Sequence, residues 1–197
     1  MASYRAVAAV SNAIVHLLQS RYVPADFDNA LLQFQVYIAP DFLRPMDAGV
    51  SVLLYRIYPN QHNRTPPGRL LPDGRRQRNM LPVDLHFLLT AWAKDASLQH
   101  AIAGWMMRIL EDTPSLPPGL LNARYPNTFG MDESVEVGIT ELSTEELFRI
   151  WEVIVNNTYQ ISVPYVARNV RIETFDAFGS GAPVQERLAD MQKLVEP

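Results

Sequence analysis

The apolar and polar positions of residues 81–113 follow two different periods, one after the other. In the first half every second residue is apolar, which is typical of a strand with one buried face. In the second half the apolar residues recur at steps of three and four, which indicates an amphipathic helix beginning near Ser97. We therefore expect a long strand that leads directly into a long helix at the centre of the core. The apolar positions are Val83, Leu85, Phe87, Leu89 and Ala91 in the strand, and Leu98, Ala101, Ile102, Trp105, Ile109 and Leu110 in the helix.

Three further elements are predicted before this pair. Ser3 can cap an amphipathic helix that runs to about Gln19 and packs on the sheet. Residues 32–38 alternate between apolar and mostly polar side chains, which predicts a half-buried strand. Residues 50–58 are apolar on both sides for much of their length, which predicts a central strand beside the long strand described above. The apolar positions of the half-buried strand are Leu32, Phe34, Val36 and Ile38.

Three more segments follow the central helix. Residues 114–131 are rich in proline and glycine, and we expect them to wrap one edge of the sheet. Residues 135–139 alternate and predict a short strand with one wet face. Ser143, followed by Glu146, matches a capping box that opens a helix over residues 144–155. The expected buried stripe of that helix is Leu147, Ile150, Trp151 and Ile154.

Residues 159–173 predict the last strand, but their alternation slips partway along. Apolar side chains share one parity up to Tyr165 and the other parity from Val170, and Pro164 lacks a backbone donor. We interpret this pattern as an edge strand with a bulge or bend, or as two consecutive strands. An edge strand of this kind can accept a strand from a neighbouring molecule.

Composition predicts one soluble, non-secreted domain with a tail. The chain has 197 residues, of which 48% are hydrophobic and none is cysteine, so it can bury one core but has no thiol chemistry. The net charge of −4 gives no general reason to expect nucleic acid, and no stretch approaches the roughly 18 apolar residues that cross a membrane. We expect a domain over residues 1–175 and a linker with a short C-terminal helical arm over residues 176–197. A helix this short is marginal in water by itself, so it docks either on its own domain or on a partner. The arm positions for binding a partner are Leu188, Met191 and Val195.

The connection at residues 59–80 is long and basic. It contains four prolines and two glycines, and Asp73 is its single acid. Long irregular connections in compact domains are often functional, and the planar arginine side chain suits carboxylates on a partner. We interpret the connection as a partner-binding arm, with a merely solubilising tip as the alternative. Its candidate partner-binding residues are Arg64, Arg69, Arg75, Arg76 and Arg78.

The sequence contains no recognisable catalytic motif, cofactor fingerprint or metal-ligand spacing. The best local pair is Asp84 and His86, which share a strand face that Thr90 can join. A carboxylate that orients a histidine can serve a base or a metal, so a small metal-dependent hydrolase remains an alternative. Such a pair is more often a polar patch, and no nucleophile or third ligand accompanies it. We therefore predict no catalytic residue, no metal ligand and no cofactor.

Several segments, in the order in which they follow one another along the chain, resemble one protein family. They are LLYRIYPNQHNRTPP, LPVDLHFLLTAWA, RILEDTP, ELSTEELFRIWEVI and YQISVPYVARNVRIE, and with the basic tip between the first two they cover about residues 3–173. Together they resemble the N-terminal domain of cap proteins, also called tube terminators, of extracellular phage-tail-like contractile injection systems. The resemblance implies an α/β (α+β) fold, with a tail-terminator-like mixed or antiparallel sheet and packed helices. Longer family members continue into a substantial C-terminal extension that could anchor them. In this sequence, residues 184–195 are the only candidate for such an arm.

The resemblance also implies a function. Such a protein is a structural, non-enzymatic cap that ends the polymerisation of tube and sheath. It forms a homo-hexameric ring on the distal end of the inner tube, and this ring holds the terminal sheath ring. Its partners are other copies of itself, the tube protein and the sheath protein, without nucleic acid or membrane. It assembles in the cytoplasm and then belongs to a particle that a cell can release. A second alternative is a monomeric adaptor that binds an acidic protein through residues 59–80.

Overall fold

The computed structural model describes residues 3–60, 80–154 and 159–173, which form one mixed sheet with helices packed on it. The strands are β1 (Gln33–Tyr37), β2 (Gly49–Pro59), β3 (Met80–Trp92), β4 (Ser115–Leu116), β5 (Val135–Ile139) and β6 (Ser162–Glu173). The helices are α1 (Ala6–Arg21), α2 (Ala96–Asp112), α3 (Pro118–Leu121) and α4 (Thr144–Ile154), with 3-10 turns at Pro24–Phe27 and Ala39–Leu43. None of the helices in these ranges is both long and apolar enough to cross a membrane.

The strand order across the sheet is β1-β2-β3-β6-β5-β4. β1 runs parallel to β2, and every other neighbouring pair is antiparallel. The predicted α/β class, the mixed sheet and the pairing of the second strand with the long third strand are therefore confirmed. The sheet ends at β1 on one side and at the two-residue β4 on the other.

β3 and α2 form the predicted strand and helix at the centre. The five apolar positions predicted on one face of β3 are all buried. Asp95 caps α2, because its side chain accepts the backbone N–H of Leu98 at 2.9 Å. The most deeply buried positions of α2 are Ile102, Met106 and Leu110. With α1, this helix covers one face of the sheet.

α1 packs on the same face, and its apolar side chains reach the core as predicted. The helix begins at Ala6, later than a Ser3 cap implies, and ends at Arg21. Ser3 still orders the approach, since its hydroxyl accepts the backbone N–H of Arg5 at 3.3 Å. The predicted cap residue therefore stabilises the turn before the helix.

An aromatic cluster covers the other face of the sheet at one end. Phe42 lies 5.8 Å from Trp92 and 5.6 Å from Trp151 between ring centroids, and Tyr37 packs against Phe42 at 5.3 Å. The indole N–H of Trp92 donates to the hydroxyl of Ser51 at 2.8 Å. α4 brings Trp151 into this cluster, which explains why so short a helix is held on the sheet.

The predicted capping box of α4 is confirmed. The backbone N–H of Glu146 donates to the Ser143 hydroxyl at 3.2 Å, and the Glu146 carboxylate accepts the Ser143 backbone N–H at 3.1 Å. The Ser143 hydroxyl donates to the same carboxylate, and these bonds lower the pKa of Glu146 below its ordinary value. Trp151 is the fully buried residue of the predicted stripe, and Leu147, Ile150 and Ile154 pack partly buried beside it.

The prediction that β1 buries Val36 and Ile38 is wrong. Val36 is 38% exposed and Ile38 is 64% exposed, whereas Tyr37 is buried. Tyr37 turns towards the aromatic cluster, where its hydroxyl accepts the backbone N–H of Met46 at 2.8 Å. The phenol therefore takes the inner position at this end of β1.

The prediction that the last strand lies at an edge is also wrong. β6 pairs with β3 on one side and β5 on the other. The carbonyl of Pro164 accepts the backbone N–H of Thr140 at 3.1 Å, just past the end of β5. Both polar groups of a residue in an antiparallel strand face the same neighbour, so the donor missing from Pro164 points where the β5 ladder has ended. This proline therefore costs the sheet no hydrogen bond.

The predicted bulge in the last strand is confirmed at Asp84. Val83 pairs with Val170 and Leu85 pairs with Ala167, so Asp84 faces two residues of β6. One of them, Asn169, has a left-handed φ of 56°. The Asp84 carboxylate accepts the backbone N–H of Asn169 at 2.8 Å and the side-chain amide of Asn60 at 3.0 Å. These bonds fix the bulge where β2, β3 and β6 meet the base of the basic connection.

The proline-rich segment after α2 wraps the far edge of the sheet, as predicted. Ser115 pairs with Glu136, and Leu116 pairs with Val135, which makes β4 the last strand on that side. α3 follows directly. Val135 and Val137 of β5 are buried, and Glu136 is exposed, so the predicted wet face of this strand is confirmed.

Replacing Asp84 by alanine is expected to destabilise the fold by about 2 kcal/mol, because the bulged N–H of Asn169 loses a charged acceptor. Asp84→Asn, which retains one acceptor oxygen, is expected to recover part of this loss. Asp47→Ala is the matched control. Its ion pair with Lys94 is 2.9 Å long but about four-fifths exposed, so a change within about 0.5 kcal/mol is expected. Urea unfolding measures all three, and equal effects for Asp84→Ala and Asp47→Ala would contradict the role of Asp84.

Candidate interaction surfaces

All eight predicted partner-binding residues lie outside the described residues. They are Arg64, Arg69, Arg75, Arg76 and Arg78 in the basic connection, and Leu188, Met191 and Val195 near the C-terminus. The structure does show where the basic connection begins and ends. β2 and β3 stay paired up to Pro59 and Val83, and the backbone N–H of Asn60 donates to the carbonyl of Pro82 at 2.8 Å. Residues 61–79 therefore leave and re-enter one end of the sheet between two adjacent antiparallel strands.

The sheet surface at the base of this connection is aromatic and cationic. We call the side chains of Arg56, Tyr58, His86 and Arg168 the basal surface. The Arg56 guanidinium lies 4.1 Å from the centre of the Tyr58 ring, and the His86 ring meets that of Tyr58 at 5.6 Å. Burial lowers the pKa of His86 below its ordinary value. Arg56 and Arg168 lower it further, and Asp84 opposes them. The basal surface therefore extends the positive charge of the connection onto the sheet.

The predicted Asp84 and His86 pair does not form a catalytic arrangement with Thr90. The Thr90 hydroxyl bonds to that of Ser162 at 2.9 Å in the interior. Asp84 is committed to Asn60 and Asn169, as described above, and His86 lies edge-on to two tyrosine rings. Within the three described ranges, no group of three or more histidine, aspartate and glutamate side chains could hold a metal ion. The chemistry of this site is that of a stabilised strand junction.

The open edge of β1 borders a groove of about 730 Å³, which we call the β1 groove. The outer face of α1, α3 and the segment just after α3 form its other walls. Its lining residues include Val15, His16, Phe34, Val36, Leu120 and Arg124. This surface was not predicted, because the alternation of residues 32–38 places Val36 on the buried side of a half-buried strand. It combines exposed aliphatic groups with an unpaired strand edge, which is a common arrangement for binding another strand.

A second groove, of about 840 Å³, lies at the opposite edge of the sheet, and we call it the β5 groove. Its lining residues include Pro114, Phe129, Asp132, Val135, Glu136 and Arg168. Glu136 and Arg168 face each other across β5 and β6 at 3.8 Å, and both are more than half exposed. The sequence predicted a strand here, but not that it would lie one step from the end of the sheet.

A third pocket, of about 410 Å³, opens onto the aromatic cluster. Phe42, Met46, Trp92 and Trp151 line it, and the exposed Lys94 and Asp47 pair stands at its rim. The indole N–H of Trp151 is buried and has no hydrogen-bond partner among the described residues. Its aromatic floor and charged rim suit an apolar side chain of a partner.

Solved structures of two tube terminators share this fold. One is the sheath/tube terminator of an extracellular contractile injection system, PVC, in its extended state. It has a TM-score of 0.60 and 17% identity, over 91% of this chain and 60% of that chain. The other is the tube-terminating cap of the anti-feeding prophage, with a TM-score of 0.60 and 17% identity, over 90% of this chain and 58% of that chain. The present chain thus spans about three fifths of the length of each terminator.

The sequence itself identifies the family. Residues 9–186 match the family described as the Pvc16 N-terminal domain. No match is found among curated proteins. The match covers most of the chain and agrees with the fold of the two terminators, so the predicted resemblance to cap proteins of contractile injection systems is confirmed. The chain belongs to the Pvc16 N-terminal domain family.

Proposed function

We propose that this chain is a structural cap that terminates the inner tube of an extracellular contractile injection system. The observation that carries the proposal is the family match over residues 9–186. It is supported by the fold that the chain shares with the PVC sheath/tube terminator and the anti-feeding prophage tube-terminating cap. The role requires surfaces that fit a tube end and neighbouring copies, and it requires no catalysis.

The finer arrangement we propose is a homo-hexameric ring on the distal end of the tube, which also holds the terminal sheath ring. Its assembly takes place in the cytoplasm, before the particle leaves the cell. Residues 1–175 form the cap domain, and residues 176–197 supply a linker and an arm that binds a partner through Leu188, Met191 and Val195. The resemblance to cap proteins supports the ring, the sheath contact and the place of assembly. The helical spacing of apolar residues after a glycine-containing linker supports the arm.

The basic connection at residues 59–80 is the element we propose for contact with the tube or sheath. Both of its ends leave the same end of the sheet, beside the basal surface. Arg56 and Arg168 there add cationic groups to the five arginines of the connection. A concentration of one charge at one end of a domain favours an acidic partner surface and speeds its capture.

Reversing Arg75 and Arg76 to glutamate is expected to reduce capture on tube ends at least about tenfold at low salt and to leave the fold intact. Negative-stain images of tubes polymerised from the cognate tube protein measure the fraction of ends that carry density. Arg108→Glu with Arg149→Glu is the matched control. It changes the net charge equally at exposed helix positions, and full capture is expected. Full capture by the folded Arg75 and Arg76 variant would reject the proposed contact.

Averaged images of capped tube ends are expected to show six copies of the chain in one closed ring and no tube growth beyond it. The free protein can be monomeric without affecting this result, because the tube end supplies the template. A closed ring with a different number of copies would overturn the proposed hexamer but would still support the capping function. Bare tube ends at saturating protein would reject the capping function itself and favour a monomeric adaptor.

A further inference from the structure

Among the described residues, the sheet has an open edge at β1 with a short row of unpaired backbone groups. The backbone N–H of Gln33 donates to the carbonyl of Ala48 on the β2 side at 3.0 Å. Because backbone groups alternate in direction along a strand, Phe34 and Val36 point theirs away from β2. The next residue that points away from β2 is Ile38. Its backbone N–H is already occupied, because it donates to the Asp41 carboxylate at 2.8 Å. The free row of β1 is therefore confined to Phe34 and Val36.

The opposite edge of the sheet has a similar opening at the end of β5. β4 covers only Val135 and Glu136. The backbone N–H of Val137 donates to the carbonyl of Pro114 at 2.8 Å, on the side away from β6. By the same alternation, Ile139 points its N–H and C=O away from β6, and its side chain is 47% exposed. The open part of β5 is therefore about as short as that of β1.

The two edges differ in charge. Arg124 and His16 line the β1 groove, and Arg124 forms no ion pair with any other described residue. Glu136 and Glu141 flank the open part of β5. Glu136 forms an ion pair with Arg168, whereas the exposed Glu141 forms no ion pair within the described ranges. Beside the Phe34 and Val36 row lies the Arg124 cation, with Asp41 engaged by the N–H of Ile38 at the end of the row. Beside Ile139 lies the Glu141 anion, and neither Arg124 nor Glu141 is ion-paired within the described residues.

Strand direction allows the two edges to meet. β1 is parallel to β2, and the three antiparallel pairings that follow leave β5 opposite in direction to β1. When copies stand side by side, related by rotation about an axis along the strands, β5 of one copy lies antiparallel to β1 of the next. Such a contact joins two different surfaces, so it can be repeated until the rotation closes a ring.

We propose that β1 and the β1 groove of one copy bind the open end of β5 in a second copy of this chain, with Arg124 facing Glu141 across the junction. Val36 and Ile139 lie against one another there, and the sheet continues from copy to copy. The proposal names the contact surface of the proposed ring and so rests on the proposed function. It also identifies the ring contact as heterologous, with a different surface from each copy.

Cysteine cross-linking tests this contact cleanly, because the chain has no cysteine of its own. The variant that carries both Val36→Cys and Ile139→Cys is expected to give a ladder of covalent oligomers with a short bismaleimide. Each single-cysteine variant is expected to remain monomeric on a denaturing gel. Dimers from Val36→Cys alone would show that β1 pairs with itself and would overturn the proposal. Absence of products from the double variant would overturn it as well.

Charge exchange gives the second measurement, on the double-cysteine background. Arg124→Glu alone and Glu141→Arg alone are each expected to reduce the cross-linked fraction about tenfold, and the combined exchange is expected to restore most of it. Equal losses in the single and combined variants would reject the facing pair. Arg21→Glu, at the end of α1, is the control for charge alone.

The cross-linking is carried out on tube ends and on concentrated free protein, which separates this proposal from the proposed function. Density at tube ends without a ladder in either sample would leave the cap in place and overturn the edge contact. A ladder in free protein, with bare tube ends, would support the edge contact and reject the cap.

Discussion

Burial of β3, from Val83 to Ala91 on one face and from Leu88 to Trp92 on the other, is the constraint on which the rest of the structure depends. This strand has β2 on one side and β6 on the other, so each of its faces must be covered from above or below. α1 and α2 cover one face along most of its length. The other face is covered at one end, where α4 and the 3-10 turn Ala39–Leu43 bring aromatic rings onto Leu88 and Trp92. No described helix covers the rest of that second face, which carries the basal surface, so charged side chains lie there beside the base of the basic connection.

Much of the fold could be predicted because its signals are local. The change of period at the start of α2, the capping box of α4 and the alternation of β5 each depend on side chains a few residues apart. The errors arose where burial depends on a distant partner. Tyr37 is buried because its ring packs against those of Phe42 and Trp92. The alternation of residues along β1 cannot reveal these distant contacts. Pro164 predicted an edge strand because a proline inside a sheet normally costs a ladder hydrogen bond. Here the missing N–H faces the point where β5 ends, so no hydrogen bond is lost.

The candidate surfaces were harder to predict than the fold. The period of β3 placed Asp84 and His86 on one face correctly, but a bulge in β6 brought a backbone donor to the carboxylate and gave it a structural task. The β1 and β5 grooves depend on which strands end the sheet, and strand order is a property of the whole chain. The arginines of residues 59–80 stood out in the sequence because charge and proline content need no tertiary information.

The brevity of the open strand edges has a consequence for the protein before assembly. Long unpaired edges recruit other chains without limit and lead to fibres, and proteins suppress this hazard by keeping such edges short or closed. Here Asp41 closes β1 after Val36, and β4 occupies the first half of β5. An isolated junction of two or three residues is weak in water. Within the described ranges, the sheet therefore lacks the long open edge that promotes ordered aggregation of free chains.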